Sequence, residues 1–225
     1  MKGALLILGR GIGQVMFQNN ALSGLLMLVG VLLNSWQMAL LAIAGNVVST
    51  LAAYFSGYSR EDIRNGLYGF NGTLVGIAIG VFMPITVASL LLLVAGSCLS
   101  TWIARLFGLQ RLVSGFTAPF IISVWILLVT CNWMMPSLLL PSGDAVTAQT
   151  LSFLQAFCLN IGQVMFQGNI WTGLLFLIGI LINSRTAAFY TVIGALFPIP
   201  LAILLGIDAE TLNMGLMGYN GVLCA

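Results

Sequence analysis

The residues with the greatest chemical capacity in this sequence are uncharged amides that occur twice, each followed by an aromatic ring. Residues 14–18 read Gln-Val-Met-Phe-Gln, and residues 163–167 repeat the phrase at an offset of 149 (163 − 14). A glutamine amide offers one acceptor and two donors, and a phenylalanine three residues later lies almost one helical turn along the same side. An amide buried in a membrane needs a partner in the protein or in a polar solute. The pattern predicts recognition of a neutral, planar, hydrogen-bonding solute.

A lone glutamine in an apolar helix more often holds two helices together, and it is the repetition that favours a pore. The same offset aligns residues 66–72 (Gly-Leu-Tyr-Gly-Phe-Asn-Gly) with residues 215–221 (Gly-Leu-Met-Gly-Tyr-Asn-Gly). A duplicated membrane unit with the same polar residues in both copies is typical of a transport pathway at a repeat interface. We expect Asn71 and Asn220 to be structural residues that hold the turn of a half-helix.

Composition places these residues in a membrane. Hydrophobic residues make up 60% of the 225 residues and charged residues 5%, whereas soluble domains carry roughly a quarter charged residues. The mean hydropathy is +1.10, so we predict an all-α integral membrane protein. The net charge of +2 gives no sign of a nucleic-acid partner. The absence of histidine from the sequence excludes histidine-based catalysis and most transition-metal sites. We expect no cofactor and no enzymatic activity.

The elements that position the amides follow from the apolar runs between the few charges. The run from Trp36 to Phe55 is long enough for a membrane span, which needs about 20 residues. Ser59, with Asp62 at the third helical position, is typical of a helix start, and Pro119 suits the first turn of another helix. We interpret residues 65–72, which carry glycines at a spacing of three, as a half-helix that enters the membrane and stops midway.

The duplication divides the chain into a first transmembrane repeat at residues 1–140, a polar linker at residues 141–150 and a second repeat at residues 151–225. The linker is the one turn-rich, clearly polar stretch. The second copy stops at Ala225, the counterpart of Gly76, so roughly 50 residues of a complete second unit would be missing. We therefore expect a truncated second repeat, and weak or no conduction by the 225-residue chain alone.

These phrases, together with residues 116–120 (Phe-Thr-Ala-Pro-Phe), resemble the urea transporter family, of the bacterial urea-channel type, over nearly the whole chain. The resemblance implies a pore in each protomer, formed by two inverted-topology repeats with re-entrant half-helices. It also implies a homotrimer, a multi-pass location in the cytoplasmic (inner) membrane, and passive conduction of urea with close amides as further substrates. The family's second Thr-x-Pro segment has no counterpart in this sequence.

The resemblance also assigns the pore residues, half of them to each repeat. In the first repeat these are Gln14 as a hydrogen-bond donor, Phe17 with Phe70 as a slot at one mouth, Leu74 on the same wall, and Thr117 at the constricted middle. The opposite mouth would consist of Gln163, Val164, Phe166, Tyr219 and Leu223. Gln163 occupies a position where some members of the family carry glutamate.

Other functions remain open from the residues alone. A water or glycerol channel would carry Asn-Pro-Ala signatures, which the sequence lacks, and an ammonium channel would be expected to carry pore histidines. A non-conducting membrane scaffold or fragment, or a channel for another small neutral solute, is an alternative. The five acids all fall in predicted loops: Glu61, Asp62, Asp144, Asp208 and Glu210. A pathway without ionisable groups favours a passive channel over a coupled carrier.

Overall fold

The protein is described by a computed structural model at residues 2–110, 114–141 and 150–224, where its regular elements are helices. In chain order these are α1 (Lys2–Gly13), α2 (Ala21–Asn34), α3 (Trp36–Phe55), α4 (Arg60–Arg64), α5 (Gly69–Phe82), α6 (Val87–Gln110), α7 (Ala118–Met134), α8 (Phe153–Gly162), α9 (Ile170–Asn183), α10 (Arg185–Leu196), α11 (Pro198–Leu204), α12 (Ala209–Asn213) and α13 (Tyr219–Cys224). Short 3-10 turns occupy Gln14–Met16, Pro136–Leu138 and Gln163–Met165. The predicted all-α class is confirmed.

Three helical segments in the described part of the chain are long and apolar enough to cross a membrane: Trp36–Phe55, Val87–Gln110 and Arg185–Leu204. Two bent pairs of consecutive helices raise the number to five if each pair counts as one span. In the later pair, Phe153–Met165 and Ile170–Asn183 meet at an angle of 72°. The chain is therefore a multi-pass membrane protein, as its composition predicts.

The helices form two compact units, one made of Met1–Ala21 with Gln37–Pro141 and the other of Leu22–Trp36 with Ser142–Ala225. Helix α2 therefore belongs to the second unit, although it follows α1 along the chain. It is tied to α9 there, because the Thr172 hydroxyl donates a hydrogen bond of 2.8 Å to the Gly30 carbonyl oxygen. Most of the predicted linker, residues 142–149, lies outside the described residues, so the division at 141–150 stays a prediction.

Helix α5 is the centre of the first unit. Its residues 69–79 are all buried. A Cβ atom at Gly45 of α3 would collide with the carbonyl oxygen of Gly72, and a Cβ atom at Gly76 would collide with that of Leu41. The two helix backbones are therefore in contact, as is usual where small residues meet in membranes. The 14 residues of α5 rise about 21 Å, which is less than the hydrocarbon thickness of about 30 Å.

Local signals place two helix starts of this unit where the sequence predicts them. The Ser59 hydroxyl accepts a hydrogen bond of 3.3 Å from the amide of Asp62 at the start of α4, and Pro119 lies in the first turn of α7. The boundaries differ at residues 65–72, which form a turn and the beginning of α5. Because α5 continues to Phe82, the short helix starts later and is longer than predicted.

Candidate functional site

The first amide–aromatic phrase forms a left-handed end to helix α1. After the turn at Gln14–Met16, Phe17 has a φ of 58°, and the amide of Gln18 donates to the Gly13 carbonyl oxygen at 3.0 Å. The Gln18 side chain is buried, and its Nε2 donates to the carbonyl oxygen of Met16 at 2.7 Å. Gln18 thus satisfies a carbonyl group at the helix end, while the Phe17 side chain remains 43% exposed.

The Gln14 side chain is anchored by a single hydrogen bond. Its Nε2 donates to the carbonyl oxygen of Asn65 at 3.0 Å, and the side chain is 9% exposed. Within the described residues this amide forms no other hydrogen bond. Since a primary amide has two N–H donors and an acceptor oxygen, one N–H and the oxygen of Gln14 are not engaged within the described residues.

A glycine turn brings the acceptor to Gln14. Gly66 has a φ of 76°, in the region that favours glycine. A Cβ atom there would collide with the backbone nitrogen of Gly11, so the turn lies directly against α1. The Asn65 carbonyl reaches the Gln14 amide because no side chain separates the two backbones. In the second unit Gly215 makes the equivalent turn, with a φ of 74°.

The same hydrogen bonds recur in the second unit at the offset of the sequence repeat. Phe166 has a φ of 57°, and Gln163 Nε2 donates to the carbonyl oxygen of Met214 at 2.9 Å. The buried Gln167 donates through Nε2 to the carbonyl oxygen of Met165 at 2.6 Å. The two phrases are therefore equivalent in backbone geometry and in the hydrogen bonds that their glutamine side chains donate, and in each unit the first glutamine is anchored to a carbonyl group 51 residues farther along.

The other residues that the resemblance assigns to the pore lie on or beside the elements next to these turns. Phe70 and Leu74, one turn apart on α5, are 8% and 2% exposed. In the second unit Val164 is 7% exposed, and Tyr219 and Leu223, four residues apart on α13, are half-buried. Each unit therefore places an apolar or aromatic pair on one face of the helix that follows its glycine turn.

Thr117 is the N-cap residue of α7, but its hydroxyl does not cap the helix. Its side chain is half-buried and makes no capping hydrogen bond. The amide of Phe120 is instead satisfied by Asn71 Oδ1 at 3.0 Å, and Asn71 is fully buried. Asn71 therefore ties α7 to α5, a structural contact that differs from the expected one of holding a half-helix turn, and Asn220 is exposed.

Phe116 is a residue of this region that sequence reasoning did not assign to the pore. Its ring meets that of Phe17 edge to face, with centroids 5.4 Å apart and planes at 79°. Phe116 and Phe70 also line a cavity of about 300 Å³ in the first unit. No sequence signal pairs residues 17 and 116, because the contact is distant along the chain.

The described residues contain no cluster of three His, Cys, Asp or Glu side chains that could hold a metal ion. In the same part of the chain the acids lie on or beside the short helices α4 and α12, and Asp144 lies outside it. The Thr211 amide and hydroxyl each donate to the Asp208 carboxylate at 2.8 Å. These bonds hold the pKa of Asp208 below its ordinary value. Asp208 caps α12 and is not part of the candidate membrane spans.

Fold and site together define the class of protein. The chain has several apolar helices of membrane-spanning length, and each unit holds an uncharged amide on a backbone carbonyl beside an aromatic residue. These features are typical of a membrane transport protein for an uncharged solute.

Comparison with known proteins gives the family. The sequence matches the urea transporter family over residues 5–225. It is 32% identical to Urea transporter 1 of Mus musculus, 33% identical to that of Rattus norvegicus and 31% identical to that of Ovis aries, each over 234 residues. These alignments cover 95% of this chain and 60% of each relative, so the chain spans 60% of the length of these relatives. This chain belongs to the urea transporter family, a family of transporters rather than enzymes.

Proposed function

We propose that this protein conducts urea, and close amide analogues, passively down their gradients across a membrane. The observation that carries the proposal is the pair of glutamines, Gln14 and Gln163, each anchored through Nε2 to a backbone carbonyl, at 3.0 and 2.9 Å. An anchored amide presents its remaining N–H and its oxygen in a fixed direction, which suits a planar solute with the same groups. Membership of the urea transporter family supports urea as that solute.

We propose lining residues in each repeat. Residues 1–140 and 151–225 form repeats of inverted topology, and the short helices after the glycine turns re-enter the membrane without crossing it. The length of α5, 14 residues, supports this role. The lining residues of the first repeat are Gln14, Phe17, Phe70, Leu74 and Thr117, and those of the second repeat are Gln163, Val164, Phe166, Tyr219 and Leu223.

Each type of lining residue has a separate task. The glutamine amides replace water molecules that urea loses on entering the pathway, and the Thr117 hydroxyl, which caps no helix, does so farther along. Phe17 and Phe70 form a flat slot that accepts a planar molecule and excludes hydrated ions. Because every contact with the solute replaces a contact with water, binding is weak and the solute leaves quickly.

The exposed tryptophans of α7 bear on the membrane location and the oligomeric state. Trp125 and Trp133 of α7 are exposed on the isolated chain, and exposed tryptophans on apolar helices require lipid or a neighbouring protomer. We assign the protein to the cytoplasmic (inner) membrane as a homotrimer in which each protomer has its own pore. None of the lining residues is ionised, so transport is not coupled to protons or sodium.

Urea permeability of liposomes that contain the native protein tests the proposal. Stopped-flow light scattering after a urea gradient is expected to show a permeability well above that of protein-free liposomes, with methylurea and formamide slower or equal and mannitol excluded. A non-conducting scaffold would leave urea permeability at the protein-free level, and that result would overturn the proposed function.

A further inference from the structure

Phe116 adopts a backbone conformation that a bulky residue seldom takes. Its φ is 40°, in the left-handed region, and its side chain is 60% exposed. Burial of the ring therefore does not account for the conformation. Such outliers persist only where the surroundings fix them, and they concentrate at functional sites.

The turn that carries Phe116 is fixed on both sides. The amide of Ala118 donates to the Gly115 carbonyl oxygen at 2.8 Å, and a Cβ atom at Gly115 would come within 2.9 Å of the Phe107 side chain. Beyond the turn, Asn71 holds the start of α7. The direction of the Phe116 ring is thus set by the fold of the first unit.

The ring meets a second phenylalanine of left-handed backbone conformation. Phe17, with a φ of 58°, contacts Phe116 edge to face at 5.4 Å between centroids. Edge-to-face pairs attract, and each ring restricts the orientation of the other. Phe116 and Phe70 also line the same cavity. Phe116 therefore touches one phenylalanine of the proposed slot and shares a cavity with the other.

The geometry points to Phe116 as a specificity-determining residue, whose ring orients Phe17 and thereby sets the width of the aromatic slot. This inference rests on the proposed function, since a slot acts only on a flat amide that passes through it. A ring held edge-on limits how far Phe17 can turn away, so an amide with added methyl groups meets a narrower opening than urea does. Loss of the Phe116 ring releases Phe17 and admits the larger amide.

The test compares Phe116→Leu with Phe107→Leu in the natural protein. Phe107 is the matched control because it lines the same cavity and its ring is not the one that contacts Phe17. Leucine at this position keeps the Cβ and Cγ atoms, which are the Phe107 atoms nearest to Gly115. The measured quantity is the ratio of 1,3-dimethylurea permeability to urea permeability in proteoliposomes. Phe116→Leu should raise this ratio by about tenfold or more, the scale on which a pocket discriminates a single added carbon, while Phe107→Leu keeps the parental ratio. Phe116→Tyr retains the ring and should also keep it.

The permeability ratio does not depend on how much of the variant folds, because only inserted, folded protein passes urea and contributes to the measurement. If Phe116→Leu does not fold, Phe116→Met, which is flexible and of similar volume, carries the same expectation. A parent that passes urea and a Phe116 variant with the parental ratio overturn this inference and leave the proposed function intact. An equal rise in Phe107→Leu also overturns it, since the cavity and not the ring contact would then set selectivity. A parent that passes no urea overturns the proposed function, and this inference with it.

Discussion

Replacement of Gln14 by alanine tests whether the anchored amide serves the solute as well as the fold. The side chain contributes one hydrogen bond to the Asn65 carbonyl, at 3.0 Å, and a bond of this kind contributes about 0.5–1.5 kcal/mol to stability. Asn65 lies at a partly exposed turn, where water can replace the amide and keep the loss near the lower end of that range. The variant is therefore expected to fold and insert.

The larger effect is expected on flux. A dehydrated solute that lacks one hydrogen-bond partner loses roughly 1–3 kcal/mol, and about 1.4 kcal/mol corresponds to a factor of ten. Urea permeability per inserted molecule should therefore fall roughly 5- to 150-fold. Gln163→Ala should cause a similar fall, because its amide is anchored in the same way to the Met214 carbonyl at 2.9 Å.

The assay is stopped-flow urea flux in proteoliposomes of known protein content, with thermal unfolding in detergent as the measure of folding. Gln18→Ala is the matched control. Gln18 is also a glutamine, four positions after Gln14, but its Nε2 donates a hydrogen bond to the Met16 carbonyl oxygen. This variant should lower the unfolding temperature while the molecules that fold keep parental permeability. Parental urea flux through well-folded Gln14→Ala and Gln163→Ala would show that these amides do not bind the solute.

Two further variants test neighbouring claims. Thr117→Val keeps the side-chain shape and removes a hydroxyl that caps no helix, so urea permeability should fall roughly two- to tenfold at an unchanged unfolding temperature. Equal permeability would contradict the role of this hydroxyl. The pKa of Asp208 is lower in the folded protein than its ordinary value of 3.8, so its cap stabilises α12 above that pH and is lost as the pH falls through the folded pKa. The hydrogen-exchange protection factor of the Thr211 amide should decrease on acidification in the parent and change less in Asp208→Asn; the same pH dependence in both would count against the cap.

The spans and several helix ends could be predicted from the sequence because the signals for them are local. The apolar run at Trp36–Phe55 is one helix, and the side chain of Ser59 and the ring of Pro119 act within the first turn of their own helices. The repeated glutamine phrases likewise have the same geometry in both units. What the sequence does not reveal there is the anchor, because each carbonyl acceptor lies 51 residues farther along the chain.

The extent of α5 could not be read from local preference. Glycine is a weak helix former, and the spacing of glycines in residues 65–72 suggests a stop near Gly72. In the structure Gly72 and Gly76 instead let the α5 backbone touch α3. Burial on every side stabilises a helix that intrinsic propensity disfavours, so the boundary depends on a partner helix that the local sequence does not contain.

One equivalence between the two repeats can be recognised only from the contacts in the structure. Gly11 aligns with Asn160, and Asn46 aligns with Ala195. In the first unit Asn46 of α3 donates to the Leu8 carbonyl of α1 at 3.1 Å, whereas in the second unit Asn160 of α8 donates to the Ala195 carbonyl of α10 at 2.8 Å. One asparagine joins the two helices in each unit, but it lies on the later helix in the first unit and on the earlier helix in the second. An alignment shows two unrelated substitutions, and their equivalence appears only when the helices are placed together.

Passive conduction of urea through a pathway of neutral groups can be tested in proteoliposomes of the native protein. The measured quantity is the urea concentration inside them. Urea is loaded at equal concentration on both sides, with a labelled fraction outside, and a pH or sodium step is then imposed across the membrane. Passive conduction predicts rapid exchange of the label and an internal urea concentration that stays equal to the external one under either step. Accumulation of urea above the external concentration, or no exchange of the label at all, would contradict it.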